Sequence, residues 1–534
     1  MLNIGDYETT YANFSWETPE RFNFGRDVID ALPAEKAAMI WLGSDGSERR
    51  LTFGDFSRLS DKFANVARDL GVKKGDRVMV LMGKIPEWHV ILTGLLKIGA
   101  VTIPCAPQLR VSDLEFRASH SGSVLLIADQ SDIEEAETAR PNMPTVKNYV
   151  SLGADRSGWH SYEALMDAAP EDFTAEDTAA SDNAFMLYTS GTTKHPKAVL
   201  HDCAYTHAKR MEARYWLDLE PEDRLWCTSG TGWAKSIWNV FLGPWSLGTE
   251  LFFHEGGFDP AERLGLLQRY DITVLCQAPT EYRLLTKTKE LEAADFSKLR
   301  HVVSAGEPLN AAVIERWKEL HGITIFDGYG QTENTLLVGN FRGVDVRPGS
   351  MGKPSPGCDI RLVDPEGNEC PDGETGDIAL AGNPPVLFEG YWEQPEETAS
   401  CYRNGYYLTG DRAYRDRDGY LWFVGRSDDV ILSAGYRIGP FEVESALIEH
   451  EAVVESAVVG VPDADRGSLV KAFVVLGEAY SPSDELVKEL QDFCKRQTAP
   501  YKYPRRIEFV EELPKTTSGK IRRVELRQAE ERKH

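Results

Sequence analysis

Cysteine is sparse and unpatterned in this chain. Eight residues (Cys105, Cys203, Cys227, Cys276, Cys358, Cys370, Cys401 and Cys494) are scattered over 534 positions, with no C-x-x-C pair and no regular spacing. That excludes a disulfide framework and predicts reduced thiols and a cytoplasmic location. Positive charge is short as well, with 59 Lys and Arg against 84 Asp and Glu and a net charge of −25. A general nucleic-acid or anionic-membrane binder needs a basic surface to displace counterions, so neither partner is expected. No apolar run approaches the roughly 18 residues of a membrane span; even Val90 to Ala106 is broken by Lys97, Gly99 and Pro104. The opening residues, Met1 to Glu8, carry neither a basic segment ahead of an apolar core nor an Arg- and Ser-rich presequence. Internal repeats, low-complexity tracts and the hydrolase G-x-S-x-G and zinc H-E-x-x-H patterns are all missing.

What is present describes a large globular enzyme. Hydrophobic residues make up 42% and charged residues 27%, and a chain of this length suggests about three or four structural units. From Asp76 to Ala184, apolar strands such as Arg77–Leu81 and Ser123–Ile127 alternate with amphipathic stretches such as Pro86 to Gly99, which predicts a largely parallel sheet covered by helices. From Gly352 to Gly425 the texture shifts to short strands and D-G turns, predicting an antiparallel β unit. The last hundred or so residues read β-α-β-β-α.

The chemistry centres on Tyr188-Thr189-Ser190-Gly191-Thr192-Thr193-Lys194-His195-Pro196-Lys197. A strand, Ala184 to Tyr188, runs into it, and a strand then a helix follow. Exposed backbone N–H groups, four Ser and Thr hydroxyls and the point charge of Lys197 suit a polyphosphate, although the glycine spacing of a P-loop is not met. Two further turns end strands where open α/β sheets bind ligands, at Gly306-Glu307-Pro308 and at Asp327-Gly328-Tyr329-Gly330-Gln331-Thr332-Glu333. The second lacks the third glycine of a dinucleotide fingerprint. Ser229 to Lys235 forms a small-residue turn in which Trp233 is either a pocket-lining residue or core. From Lys495 onward the chain is basic, with twelve Lys or Arg against six Glu.

Five stretches in this order, Thr189-Ser190-Gly191-Thr192-Thr193 with Lys197, Gly328 to Glu333, Leu408-Thr409-Gly410-Asp411, Gly425-Arg426-Ser427-Asp428-Asp429 and Pro514 to Lys520, resemble the adenylate-forming superfamily. Ala434 to Pro440, Pro462 to Gly467 and Ala499 to Arg505 are most similar to its medium-chain acyl-CoA synthetases. One departure is Lys194-His195, where the family commonly places a glycine first. The resemblance implies an α/β fold: a large N-terminal region of layered α/β subdomains over residues 1–427, including a β-rich subdomain at about 345–425, followed by a small mobile α+β C-terminal domain over 428–534 with its hinge at Asp428.

It also implies two half-reactions, in which a carboxylate attacks the α-phosphate of ATP and the thiol of coenzyme A then displaces AMP. Lys520 is expected to be the adenylation lysine, Thr332 to contact the α-phosphate and Glu333 to hold Mg²⁺. Tyr329 offers adenine a flat face and Gly306-Glu307-Pro308 the opposite wall, with Asp327, Gly328, Gly330 and Gln331 in the same nucleotide-binding turn. Asp411 and Arg426 are expected at the ribose, although such a pair is equally compatible with a structural salt bridge. Ser433, Gly435, Tyr436, Arg437, Arg466 and Lys495 fall where related synthetases bind coenzyme A, and Trp233 is expected at the acyl pocket. Open alternatives are an adenylation enzyme that loads a carrier protein, a short-chain or aryl acid CoA ligase, and a non-catalytic binding module.

Overall fold

A computed structural model of the chain describes residues 3–189, 196–427, 429–433, 436–463, 467–515 and 521–532. Two large sheets are built from the first 354 residues and the short strand Gly390–Tyr391. In one, Ala37–Leu42, Glu250–His254, Arg224–Cys227, Val274–Gln277, His301–Ala305 and Ile325–Gly330 run parallel, and antiparallel strands close both edges. In the other, Asn183–Tyr188, Val101–Cys105, Arg77–Leu81, Leu125–Asp129, Asn148–Leu152 and His160–Ser161 run parallel. Its chain turns back after Tyr188 into antiparallel Ala198–Asp202, whose free side takes the short strand Gly390–Tyr391. Strands such as Val101–Cys105 and Leu125–Asp129 are buried at every position, as parallel strands covered on both faces must be.

The helix Phe53–Asp69 is fixed at its start by Thr52 and Asp55, which form a reciprocal capping box. The helix Pro86–Lys97 departs from expectation. It is not amphipathic in use: it buries every residue except Glu87. Gly94 lets it close on Phe53–Asp69, since a Cβ there would lie 2.9 Å from both the Phe63 ring and the Ser60 carbonyl oxygen. Lys97 is tolerated in that position because its fully buried ammonium donates to Asp30 and Asp61, each at 2.6 Å; a buried charge without such partners would be costly.

Asp359–Val363, Thr375–Ala381, Tyr402–Arg403, Tyr406–Arg415 and Leu421–Arg426 form the expected antiparallel sheet. The final segment carries its own sheet, built on the hairpins Ile431–Ser433/Tyr436–Ile438 and Val453–Asp463/Gly467–Leu476 with Arg506–Phe509 alongside. The helices Pro440–Ile448 and Asp484–Gln497 bury Leu447 and Leu490 in its core. All eight cysteines are free thiols. Among the described residues no helix is long and apolar enough to cross a membrane.

Candidate active site

The site forms where the carboxyl ends of both large sheets meet the antiparallel unit. The segment Asp327–Glu333 is less of a turn than the sequence predicts. The strand runs on to Gly330 and pairs with Leu336–Gly339, so Gly328 and Tyr329 lie in a hairpin. The two glycines are needed for close approach. A Cβ at Gly330 would sit 1.9 Å from the Thr335 carbonyl oxygen, and one at Gly328 would sit 2.4 Å from the Leu336 side chain.

That hairpin reaches Asp411, which is buried on Tyr406–Arg415. Its Oδ2 accepts from the Tyr329 hydroxyl at 2.7 Å and from Gln331 Nε2 at 2.7 Å. Gln331 Nε2 also donates to the Thr409 carbonyl at 2.9 Å. Burial first, and the Asp411 charge second, push the Tyr329 phenol well above its ordinary value, so it stays a neutral donor. Arg426 is the cross-strand partner of Asp411, so the sequence-predicted pair is adjacent. Asp327 lies on the same strand, 7% exposed, and its Oδ1 has no hydrogen-bond partner among the described residues. Burial raises its carboxyl to about 8, against the opposing pull of the Gly328 and Leu309 N–H groups and the Lys235 charge. Gly306 takes φ 110°, a conformation that favours glycine, and Glu307 beside it accepts from Thr280 at 3.0 Å.

The polyphosphate side is partly described. The Thr189 N–H donates to the Lys197 carbonyl at 2.9 Å, joining the two ends of the predicted phosphate loop. Ser190, Gly191, Thr192, Thr193, Lys194 and His195 lie outside the described residues, as do Asp428, Gly435, Arg466 and Lys520 and the side chain of Arg437. Lys197 pairs with Glu397 and lies 4.7 Å from the Tyr391 ring centroid. Tyr391 donates through its hydroxyl to Glu333 Oε1 at 2.8 Å. Thr332 is fixed through its carbonyl by His201 Nε2 at 2.7 Å. The imidazole sits far below its ordinary range, at about 3, because it is fully enclosed.

Comparison with known proteins decides what this arrangement belongs to. A family model described as "AMP-binding enzyme" matches residues 27–392, and one described as "AMP-binding enzyme C-terminal domain" matches residues 442–520. The chain belongs to the AMP-binding enzyme family. Among curated relatives, the acyl-coenzyme A synthetase ACSM3, mitochondrial, of Mus musculus is 44% identical over 549 residues, covering 99% of this chain and 94% of that one. The uncharacterized acyl–CoA ligase YtcI of Bacillus subtilis (strain 168) is 44% identical over 519 residues, covering 96% and 97%. Among solved structures, the anthranilate CoA ligase AuaEII in complex with anthranoyl-AMP aligns with a TM-score of 0.89 at 33% identity, over 96% of this chain and 98% of that one.

In this AMP-binding enzyme the remaining predicted residues sort into two places. Trp233 is half-buried at the N-terminus of the short helix Ala234–Ser236 and leans on the core around Met186 and Ala106. Gly232 fits there because a Cβ would sit 2.2 Å from the Ala106 backbone nitrogen. On the C-terminal sheet, Ser433 is buried, whereas Tyr436 is exposed and stacks on Tyr501 at 4.3 Å. Lys495, in the last turn of Asp484–Gln497, donates to Asp492 at 2.8 Å and lies 4.3 Å from the Tyr503 ring centroid.

Sequence reasoning missed Tyr391, Glu397, Lys235, Tyr501 and Tyr503. Lys235 Nζ donates to the Ala305 carbonyl at 3.0 Å, placing a cation beside the Gly306 turn. The interleaved aromatics and cations of Tyr501-Lys502-Tyr503 were the signal available for the last two. Tyr391 and Glu397 meet Lys197 from about two hundred residues away, and nothing in a single sequence marks that pairing.

Proposed function

We propose that the chain is an AMP-forming acyl-CoA synthetase that activates a medium-chain carboxylic acid, with residues 1–427 binding ATP and the acid and residues 428–534 pivoting about Asp428. The observation that carries this is the Asp411 carboxylate holding Tyr329 and Gln331 in one hydrogen-bonded group, next to Glu333 and Lys197. That group offers a nucleoside an aromatic face and a ribose acceptor, beside an acid and a cation for its phosphates.

In the first half-reaction one oxygen of the acid attacks the α-phosphorus and pyrophosphate leaves. Negative charge builds around phosphorus, and fixed donors placed there stabilise it. Thr332 and the 189–193 loop supply donors, Lys197 a cation for the departing phosphates, and Lys520 a cation for the acid and the bridging oxygen. Asp411 and Arg426 hold the ribose. The Asp327 Oδ1 atom, buried without a partner, suits the adenine amino group. Glu333 suits Mg²⁺ that arrives with ATP: no cluster of three potential protein ligands occurs among the described residues, and an ion that takes one carboxylate plus phosphate oxygens needs none. The ion would neutralise phosphate charge.

In the second half-reaction the coenzyme A sulfur attacks the acyl carbonyl carbon, the bond to AMP oxygen breaks and AMP leaves. Swinging about Asp428 withdraws Lys520 and brings Ser433, Gly435, Tyr436 and Arg437 to the cleft. Exposed Tyr436 stacked on Tyr501, with Lys495 on Tyr503, suits a purine and its phosphates; with Arg466 this favours coenzyme A over a carrier protein. Trp233 is assigned to the wall of the acyl pocket. The location is assigned as cytoplasmic on the eight free thiols. The test is AMP release from ATP with acids from acetate to decanoate and with benzoate, each with and without coenzyme A. A maximum among six- to ten-carbon acids that requires coenzyme A is expected. Turnover confined to benzoate or acetate would overturn the substrate class, and indifference to coenzyme A would overturn the ligase.

A further inference from the structure

Lys197 does not wait for phosphate as a bare cation: Glu397 pairs with its ammonium, and the Tyr391 ring lies beneath it. The same Tyr391 donates to the Glu333 carboxylate at 2.8 Å. The two charged groups assigned to the polyphosphate, one of each sign, are therefore held from one side by a single segment.

That segment is stiff. Gly390 and Tyr391 pair with Leu200 and Val199, on the strand that begins immediately after Lys197. The Glu389 N–H donates to the Leu200 carbonyl at 2.9 Å and the Trp392 N–H to that of Ala198 at 2.8 Å. The helix Pro395–Ser400, which carries Glu397 in its first turn, is pinned back by Thr398, whose hydroxyl accepts from the Tyr391 N–H at 2.9 Å. Gly390 is required for that approach, with φ 143° and a Cβ position 3.1 Å from Thr398 Oγ1. The Phe388 N–H donates to the Glu333 carbonyl at 2.8 Å.

We propose that Tyr391 and Glu397 are positioning residues of the ATP site, forming a clamp that holds Lys197 and Glu333 in place before nucleotide arrives and that yields Lys197 to the incoming phosphates. This rests on the synthetase reading above and deepens it. The two residues have different tasks. Tyr391 is buried, and burial together with the Glu333 charge keeps its phenol protonated far above neutral pH, so it serves as a permanent donor to Glu333. Glu397 is 44% exposed at its side chain. An ion pair that open to water is weak, so a triphosphate of several charges displaces it and the carboxylate turns to solvent. Glu397 therefore competes with ATP for Lys197, whereas Tyr391 supports ATP binding.

The test measures binding without turnover, by titrating the full chain with the magnesium complex of α,β-methylene-ATP in the absence of acid. Glu397→Gln is expected to bind this analogue about two- to fivefold more tightly than the unaltered chain, the range set by a surface pair, with an unchanged melting temperature. Glu397→Asp, which keeps the charge, is expected to restore the original constant. Tyr391→Phe is expected to bind more weakly by about tenfold or more, as loss of a hydrogen bond to a charged group implies. A residue with only a structural role does not improve affinity when removed. Equal or weaker binding by Glu397→Gln, against firm binding by the unaltered chain, would overturn the clamp alone. Failure of the unaltered chain to bind the analogue would overturn the synthetase reading and the clamp with it.

Discussion

Asp411→Asn tests the nucleotide site at its best-defined atom. Oδ2 of Asp411 accepts two hydrogen bonds of 2.7 Å, from Tyr329 and Gln331, and the carboxylate is assigned to accept from both ribose hydroxyls. An amide keeps the shape and one acceptor but loses the charge. A hydrogen bond to a charged group contributes about 1.5–3 kcal/mol and a neutral one about 0.5–1.5 kcal/mol, so two ribose bonds weakened by roughly 1 kcal/mol each give about 2 kcal/mol. At about 1.4 kcal/mol per tenfold, that is a roughly 30-fold rise in the KM for ATP. The ribose does not react, so the loss is uniform binding and kcat should change little. The assay is ATP–pyrophosphate exchange with ATP and with 2′,3′-dideoxy-ATP, on the unaltered chain and the variant. The unaltered chain should discriminate strongly against the dideoxy nucleotide, and Asp411→Asn should discriminate only a few-fold. If both reject it by the same factor, Asp411 does not read the ribose and its bonds serve only the hairpin.

Four further outcomes are expected. Lys520→Ala should lower adenylate formation on the order of a hundredfold or more while leaving thioester formation from supplied acyl-adenylate largely intact; equal loss of both steps contradicts the assigned role. Asp428→Pro should do the reverse, since fixing φ obstructs a pivot, and unchanged coenzyme A-dependent turnover would reject the hinge. Asp327 has a carboxyl near 8 in the fold, far above its ordinary value, so between about pH 4 and pH 8 the folded chain holds a proton that the unfolded chain has lost, and stability falls as pH rises. Asp327→Asn should therefore gain stability over the unaltered chain by up to about 1.4 kcal/mol per pH unit across that window, read from urea midpoints, and a gap that does not change with pH would contradict the burial argument. Gly330→Ala forces a Cβ to 1.9 Å from the Thr335 carbonyl oxygen and should cost at least about 3 kcal/mol, with nucleotide binding lost alongside; near-normal stability would show that the hairpin does not need that approach.

Local signals carried well from sequence to structure where one short segment determines its own shape. The apolar run Arg77–Leu81 is a strand over the same residues, and the run Ser123–Ile127 falls on the fully covered parallel strand Leu125–Asp129. What was not legible depends on distant partners. The Pro86–Lys97 helix reads as amphipathic because Glu87, His89 and Lys97 break its apolar face, yet His89 Nε2 donates to the Val240 carbonyl and Lys97 is neutralised by Asp30 and Asp61. Tyr329 was legible as an aromatic at a binding turn, but its anchor, Asp411, lies 82 residues further along. Lys197 was legible as a phosphate-loop cation, whereas its resting partner Glu397 lies 200 residues away. The residues assigned to the chemistry are named from short motifs and the resemblance those motifs carry; the groups that hold them emerge only once the sheets are stacked.

The most direct measurement is a single-turnover quench: enzyme in excess over labelled acid, mixed with ATP, then chased with coenzyme A. One equivalent of pyrophosphate and a bound acyl-adenylate should form before the chase, and AMP and acyl-CoA should appear together only after it. AMP release that keeps pace with pyrophosphate before any coenzyme A is added, or a chase that leaves the adenylate untouched, would contradict two transfers in one cleft.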